Sequence, residues 1–229
     1  MRRFTCEEVA RVTDHSLLHP AMTDAELEEG CQSAREWGVA TVCVKPHFTA
    51  RARGILDGSI VNAGTTIGFP HGGHAIAAKM AEAKAALRDG AQELDMVINI
   101  GKAKGHEWGY LEDEIGAIVS AAHDGGAVLK VIFENCYLQD EHKIRLCQVC
   151  GEVGADWVKT ATGFAAGGAT IPDLKLMRQY SPPHVQVKAA GGVRTLDGLL
   201  EVRALGVTRV GATRTGEMLD ECKRRLGIS

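Results

Sequence analysis

The sequence predicts a (β/α)8 barrel of parallel strands. Short β-branched runs alternate along the chain with longer stretches rich in alanine and glutamate. Many of the short runs are almost continuously apolar, which is typical of strands buried on both faces of a parallel sheet. Eight strand–helix units in 229 residues leave roughly 29 residues for each, close to one right-handed βαβ step. A doubly wound open sheet is the alternative, but the sequence lacks its GxGxxG turn after the first strand.

The elements follow one another in a regular order, identified from hydrophobic periodicity. The predicted strands cover residues 14–18, 40–44, 61–68, 92–99, 128–133, 156–161, 185–189 and 207–211. The predicted helices cover residues 24–37, 49–56, 75–89, 109–124, 140–153, 172–179, 196–205 and 214–226. The strand at 14–18 is the weakest of these, because its pattern is the least apolar.

Capping residues support these helix boundaries. Thr23 and Glu26 form the pattern of a capping box, and Thr170 precedes a proline at the start of its helix. Five glycines stand where helices are expected to end in a left-handed residue: Gly38, Gly90, Gly125, Gly154 and Gly206. No linker, low-complexity tract or charge block divides the chain, so residues 1–229 are predicted to form one domain.

Composition excludes several classes of function. The 26 basic and 29 acidic residues give a net charge of −3, which offers no basic field for nucleic acid. No apolar stretch approaches the roughly 20 residues of a membrane span, and the N-terminus does not resemble a secretory signal. The odd number of cysteines, 7, favours reduced thiols and a cytoplasmic protein. Barrels of this size often form homodimers, although no patch in the sequence identifies an interface.

Two features that resemble metal or redox motifs have simpler explanations. Cys147 and Cys150 form a single CxxC pattern inside a predicted helix, which favours plain helix packing. His71 and His74 lie in a Gly-rich turn and are expected to belong to a loop and a helix cap. No metal site is therefore predicted.

Three charged residues interrupt strongly apolar strands. Asp95, Lys159 and Lys188 each lie within a predicted strand, where a side chain points into the barrel or into the helix layer. Both environments are dry, so an unpaired charge would cost several kcal/mol. A buried salt bridge between Asp95 and one lysine would explain two of these charges without any catalytic role. A second lysine on the next strand must then remain unpaired or lose its proton.

A lysine that loses its proton near neutral pH is a nucleophile. Burial and a cationic neighbour both lower a lysine pKa. The neutral amine attacks a carbonyl to form a Schiff base, and the iminium then accepts electrons from a breaking C–C bond. Asp95 is predicted to move the protons, while Lys130 and Glu134 are predicted to form a supporting charge network.

Glycines after the last predicted strands indicate a phosphate site. Loops at this end of such barrels often bind phosphate through backbone N–H groups, which glycine allows to approach closely. The glycines concerned are Gly163, Gly167, Gly168, Gly191, Gly192 and Gly211. Thr213 would add a hydroxyl and Arg214 a guanidinium.

At these residues the sequence resembles the deoxyribose-phosphate aldolase family, which consists of class I aldolases with a (β/α)8 barrel. The resemblance covers nearly the whole chain and is specific because it combines many segments. They are residues 14–18, 42–44, 66–70, 93–99, 130–134, 156–163 and 188–195. It implies reversible cleavage of 2-deoxy-D-ribose 5-phosphate to D-glyceraldehyde 3-phosphate and acetaldehyde, without a metal or organic cofactor.

The resemblance also implies roles for individual residues. Lys159 corresponds to the Schiff-base lysine, Lys188 to the lysine that lowers its pKa, and Asp95 to the proton-relay aspartate. Asp14 and Ser16 correspond to positions near substrate hydroxyls. The implied phosphate and substrate loops contain Thr162, Gly163, Gly191, Gly192, Gly211 and Thr213.

The chain departs from the family pattern at several places. Ala161 replaces a common serine, His19-Pro20 replaces a Lys-Pro, and Arg214 replaces another serine. Arg214 would either bind phosphate in a bidentate manner or point away and open the following helix. Another Schiff-base aldolase with a different acceptor aldehyde, and a non-enzymatic sugar-phosphate binder, remain as alternatives.

Overall fold

The computed structural model describes residues 4–228, so residues 1–3 and Ser229 of the predicted domain lie outside the described residues. Eight parallel strands in the described part pair in chain order and close into a barrel. They are β1 (Thr13–Leu17), β2 (Thr41–Val44), β3 (Asn62–Ile67), β4 (Glu93–Val97), β5 (Val128–Ile132), β6 (Trp157–Lys159), β7 (Gln186–Ala190) and β8 (Arg209–Ala212). The predicted (β/α)8 barrel is confirmed.

Ten α-helices surround the strands within residues 4–228. They are α1 (Cys6–Arg11), α2 (Asp24–Trp37), α3 (Thr49–Ile55), α4 (Ile76–Arg88), α5 (Ile100–Lys104), α6 (Trp108–Asp124), α7 (Asp140–Glu152), α8 (Ile171–Tyr180), α9 (Leu196–Ala204) and α10 (Thr215–Leu226). All eight predicted helices are present. The two that were not predicted, α1 and α5, are too short for periodicity to identify them.

The predicted helix caps are confirmed with one correction. Glu26 N donates to Thr23 Oγ1 at 3.3 Å, and Thr23 N donates to Glu26 Oε2 at 2.7 Å, as a capping box requires. Gly38 ends α2 in the left-handed region with φ 64°. Gly125 was expected to do the same for α6 but has φ −85°. The left-handed residue there is the next one, Gly126, with φ 71°, because Gly125 itself is the C-cap that follows Asp124, the last residue of α6.

Cys147 and Cys150 lie on the buried face of α7 and are 0% exposed. Both belong to the apolar layer between the helices and the barrel. The prediction that this CxxC pattern serves helix packing is therefore confirmed. None of the helices in residues 4–228 has the length and apolar character that crossing a lipid bilayer would require.

Candidate active site

A cavity of about 750 Å³ lies at the carboxyl ends of the strands. Its walls come from residues 15–20, 162–164, 190–194 and 211–213, which are strand ends and the loops that follow them. Lys159, the last residue of β6, also lines it although the residue is only 4% exposed. This is the end of a (β/α)8 barrel at which catalytic residues collect.

Most of the predicted substrate-binding residues line this cavity. They are Ser16, Thr162, Gly163, Gly191, Gly192, Gly211 and Thr213. Gly167 and Gly168, two of the predicted loop glycines, do not line it, and neither do Asp14 and Arg214. For Asp14 and Arg214 the structure shows a local reason.

Asp14 lies one pleat below Ser16 on β1, because residues two apart on a strand face the same side. Its carboxylate is fully buried and accepts from Lys188 Nζ at 2.5 Å and from Arg209 Nη1 at 2.5 Å. Lys130 Nζ lies 3.0 Å from it. The carboxylate predicted to lie near substrate hydroxyls thus lies among cations below the cavity.

Arg214 immediately precedes α10 and turns toward that helix. Its Nε donates to Glu217 Oε1 at 2.7 Å, and half of the side chain is exposed. Of the two alternatives left open by the sequence, the structure shows the one in which this arginine opens the helix. The lining of the cavity at this loop comes instead from Gly211, Ala212 and Thr213.

The structure brings the three predicted catalytic residues together. Lys159 on β6 and Lys188 on β7 are direct neighbours in the strand register. Both ammonium nitrogens lie 2.7 Å from the same oxygen, Oδ2 of Asp95. One carboxylate oxygen is therefore shared between two lysines.

Further charged side chains continue this cluster down the barrel: Lys130, which the sequence placed in a supporting charge network, and Glu93 and Arg209, which it did not single out. Lys130 Nζ on β5 donates to Asp95 Oδ1 at 2.9 Å and also contacts Asp14 and Glu93. Arg209, the first residue of β8, donates through Nη2 to Glu93 Oε1 at 2.9 Å. We call this connected set the charge stack: Asp14, Glu93, Asp95, Lys130, Lys159, Lys188 and Arg209.

The sequence held a signal for the two residues that were missed. Glu93 lies two residues before Asp95, and Arg209 lies two residues before Gly211. Alternation along a strand places each pair on one face. Both residues begin their strands, where charges usually reach solvent, so neither stood out as buried.

Glu134 was predicted to form a charge network with Lys130, but it lies outside the charge stack. It follows β5 in a left-handed conformation with φ 57°, and its carboxylate accepts from Thr162 N at 3.2 and 3.3 Å. Thr162 Oγ1 also contacts this carboxylate. The spacing of four from Lys130 carries Glu134 past the strand end, where it holds the loop that lines the cavity.

The numbers of buried acids and bases in the stack are unequal. Among residues 4–228 it contains three carboxylates and four cationic side chains. The sequence interpretation assumed one acid for two lysines, and this count corrects it. The imbalance of one remains, because Asp14 and Glu93 are matched by Lys130 and Arg209.

Within the stack, the pKa values of the two central lysines move in opposite directions. Burial lowers the pKa of Lys159, and the charge of Lys188 lowers it further against the attraction of Asp95. Burial also acts on Lys188, but Asp14 and Asp95 outweigh it and raise its pKa. Among the described residues, Lys159 has one carboxylate partner and Lys188 has two. Lys159 is thus the cation that the stack stabilises least.

His15 is a second titratable group in the cavity wall. Its Nδ1 lies 2.9 Å from Thr215 Oγ1, and burial lowers the pKa of the imidazole to about 4. His15 is therefore uncharged around neutral pH and does not add a further cation beside Lys159.

A parallel barrel with a buried lysine of lowered pKa at the floor of a cavity is the arrangement expected of enzymes that work through an amine nucleophile. The model of the DeoC/LacD family of aldolases matches residues 9–212. The chain belongs to the DeoC/LacD aldolase family.

Several relatives carry a more specific description. A deoxyribose-phosphate aldolase from Rhodopirellula baltica is 54% identical over 228 residues, covering 100% of this chain and 95% of the relative. A deoxyribose-phosphate aldolase from Caldanaerobacter subterraneus is 42% identical over 218 residues, which cover 95% of this chain and 94% of that relative. A tetrameric deoxyribose phosphate aldolase structure from Aeropyrum pernix superposes with a TM-score of 0.89 at 28% identity, covering 96% of this chain and 92% of that chain.

Proposed function

We propose that this enzyme is a class I aldolase that reversibly cleaves 2-deoxy-D-ribose 5-phosphate to D-glyceraldehyde 3-phosphate and acetaldehyde. The observation that carries the proposal is the position of Lys159. It lies at the boundary between a substrate-sized cavity and the buried charge stack, which has one more cationic side chain than it has carboxylates. The names of the relatives agree with this substrate.

Lys159 supplies the nucleophile. Its neutral Nζ attacks C1 of the open-chain sugar, water leaves, and an iminium forms. The C2–C3 bond then breaks, its electron pair moves toward the iminium nitrogen, and the C3 hydroxyl proton goes to a base. Glyceraldehyde 3-phosphate leaves, C2 of the enamine takes up a proton, and hydrolysis releases acetaldehyde and the free amine.

Asp95 and Lys188 support these proton movements. Asp95 Oδ2 lies 2.7 Å from Lys159 Nζ, so it is within reach of protons that the amine loses and regains. Lys188 donates to the same oxygen, and its raised pKa keeps it charged. A permanent cation at this place disfavours protonation of Lys159.

The phosphate group fits the glycine loops after β6, β7 and β8. Gly191 and Gly192 have φ 80° and 93°, a backbone conformation that favours glycine and leaves the loop without side chains beside the cavity. A Cβ on Gly168 would lie 2.4 Å from Gly191 O, so the two loops pack backbone to backbone. Gly163, Gly211 and Thr213 complete this proposed phosphate site, and Arg214 is left out of it because of its contact with Glu217.

Reductive trapping tests the function directly. Acetaldehyde with borohydride is expected to add one ethyl group to the protein, and peptide mass spectrometry is expected to find it on Lys159. Lys45, which is partly exposed, serves as an internal control for unselective alkylation. Labelling that is spread over surface lysines, with Lys159 unmodified, would refute the proposal.

Three broader proposals accompany this function. Residues 1–229 are proposed to form one domain, since in the described part all eight strands close into a single barrel and Trp37 packs against both of its apolar clusters. The free cysteines suit a reducing compartment such as the cytoplasm. The oligomeric state, for which the sequence suggests a homodimer and the Aeropyrum relative forms a tetramer, is to be measured by light scattering.

A further inference from the structure

Arg209 and Glu93 lie at the opposite end of the barrel from the cavity. Each is the first residue of its strand, β8 and β4 respectively. Arg209 Nη1 donates to Thr41 Oγ1 and to Glu93 Oε2, both at 3.0 Å. Its guanidinium also lies over the Trp157 ring, 5.2 Å from the ring centroid. These four residues come from the even-numbered strands and form the lowest polar layer of the barrel.

An unbroken series of short contacts joins this layer to the nucleophile. Arg209 Nη1 lies 2.5 Å from Asp14, and Asp14 lies 2.5 Å from Lys188 Nζ. Lys188 and Lys159 then share Asp95 Oδ2, each at 2.7 Å. A second route runs from Glu93 through Lys130 to Asp95.

The substrate cannot explain Arg209 and Glu93. Neither residue lines the cavity, and both carry charges that are costly to bury. As a pair they add no net charge to the stack, but losing the charge of either one alone changes the net charge of the stack by one. With all three carboxylates ionised and three cations charged, the described residues of the stack are neutral only when Lys159 is unprotonated.

We propose that Arg209 and Glu93 are positioning residues which set the protonation state of Lys159 from the far end of the barrel. This inference rests on the proposed function, in which Lys159 acts as a neutral amine. Loss of the Arg209 charge leaves one carboxylate in excess, and protonation of Lys159 then restores neutrality. Loss of the Glu93 charge leaves one cation in excess and opposes that protonation.

The two changes therefore have opposite signs. Activity needs the neutral amine, so kcat/KM rises with pH through the pKa of Lys159. Arg209→Gln is expected to move this rise to higher pH, and Glu93→Gln to lower pH. At a separation of roughly 10 Å and an effective dielectric constant of about 20, one charge displaces another group's pKa by about 1.

Other titratable groups that surround Lys159 or line the cavity with it do not titrate in the same range. Burial raises the pKa of Cys43 on β2 to about 11 and lowers that of His15 on β1 to about 4. Lys130 on β5 and Lys188 on β7 have raised pKa values because nearby carboxylates outweigh their burial. The carboxylates of Asp14 and Asp95 have lowered values, since the surrounding cations outweigh burial.

The test compares five variants of the full chain by the pH dependence of kcat/KM for acetaldehyde release. Arg209→Gln and Glu93→Gln keep hydrogen-bonding groups and remove one charge each. The double variant restores the balance and is expected to return the pH dependence to that of the unmodified enzyme. Arg209→Lys keeps the charge and serves as the conservative rescue. Arg225→Gln, which breaks an exposed pair with Asp197, is the matched control.

The inference is supported if the two single variants move the rise of kcat/KM in opposite directions along the pH axis and the double variant moves it back. A general loss of structure would not move the pH profile in opposite directions in the two variants. Displacements in one direction, or none, overturn the inference. Melting curves confirm that each variant is folded. If Arg209→Gln does not fold, the test is the comparison of the other two pH profiles: Glu93→Gln must move the rise of kcat/KM to lower pH, and Arg209→Lys must leave it in place. Ethyl labelling of Lys159 in the unmodified enzyme is measured in parallel, so failure of the proposed function is recognised separately.

Discussion

Replacing Lys188 with methionine tests the electrostatic basis of the site. The side chain is almost fully buried, and methionine is similar in length but uncharged. The substitution removes the cation that shares Asp95 with Lys159. Asp95 is then free to stabilise a protonated Lys159. We expect the pKa of Lys159 to rise and the fraction of neutral amine at pH 7 to fall.

The geometry gives the size of this effect. The two ammonium nitrogens bind the same oxygen and lie roughly 5 Å apart, which at an effective dielectric constant of about 20 corresponds to about 3 kcal/mol. That energy displaces a pKa by about 2. Lys188→Met is thus expected to lower kcat/KM at neutral pH by about 100-fold, with much of the loss recovered at higher pH.

The assay is the rate of acetaldehyde release from pH 5 to pH 10, with circular dichroism at each pH to confirm folding. Lys143→Met is the matched control, because Lys143 is also a mostly buried lysine with two carboxylate partners, Asp140 and Asp173, but lies outside the charge stack and the cavity wall. A folded Lys188→Met enzyme whose low activity does not recover at high pH would refute the electrostatic reasoning. Activity equal to the unmodified enzyme at pH 7 would refute it as well.

Three further predictions follow from the same contacts. Lys159→Ala is expected to abolish turnover and ethyl labelling while leaving the melting temperature at or above that of the unmodified enzyme, because the buried amine it removes is one whose charged form the stack does not balance; a variant that still cleaves substrate contradicts this. Arg214→Ala is expected to leave the kcat/KM preference for phosphorylated over unphosphorylated deoxyribose unchanged, since Arg214 contacts Glu217, and a large drop in that preference would return this arginine to the phosphate site. Acid is expected to destabilise the fold, because Asp14 and Asp95 have lowered pKa values in the folded state. The two carboxylates stabilise the fold fully above their unfolded-state pKa near 3.8, and this stabilisation is lost as the pH falls through their lower folded-state pKa values. A melting temperature that stays constant as the pH is lowered from 4 would contradict the pairing of these carboxylates with the cations of the stack.

Strand order and most of the site could be predicted because their signals are local. Lys159 and Lys188 are charged residues in apolar strands, and such residues have few structural uses. Arg209 escaped notice because its meaning depends on partners from β1, β2 and β4, which only closure of the barrel brings together. The sequence also left open where the Arg214 side chain points, because either Glu217 or a substrate phosphate could bind its guanidinium. The structure shows the contact with Glu217.

Reactivity and substrate choice reside in different parts of this barrel. The pKa of Lys159 depends on side chains inside the strands, where burial makes each charge effective over a long distance. In the proposed function, substrate groups instead meet the loops at residues 162–164, 190–194 and 211–213, which line the cavity above the charge stack. Changes in these loops can alter the preferred aldehyde while the charge balance below stays intact. Exchange of a single charge at the floor of the barrel is expected to do the reverse, because it would alter the charge around Lys159 without touching a loop residue that lines the cavity.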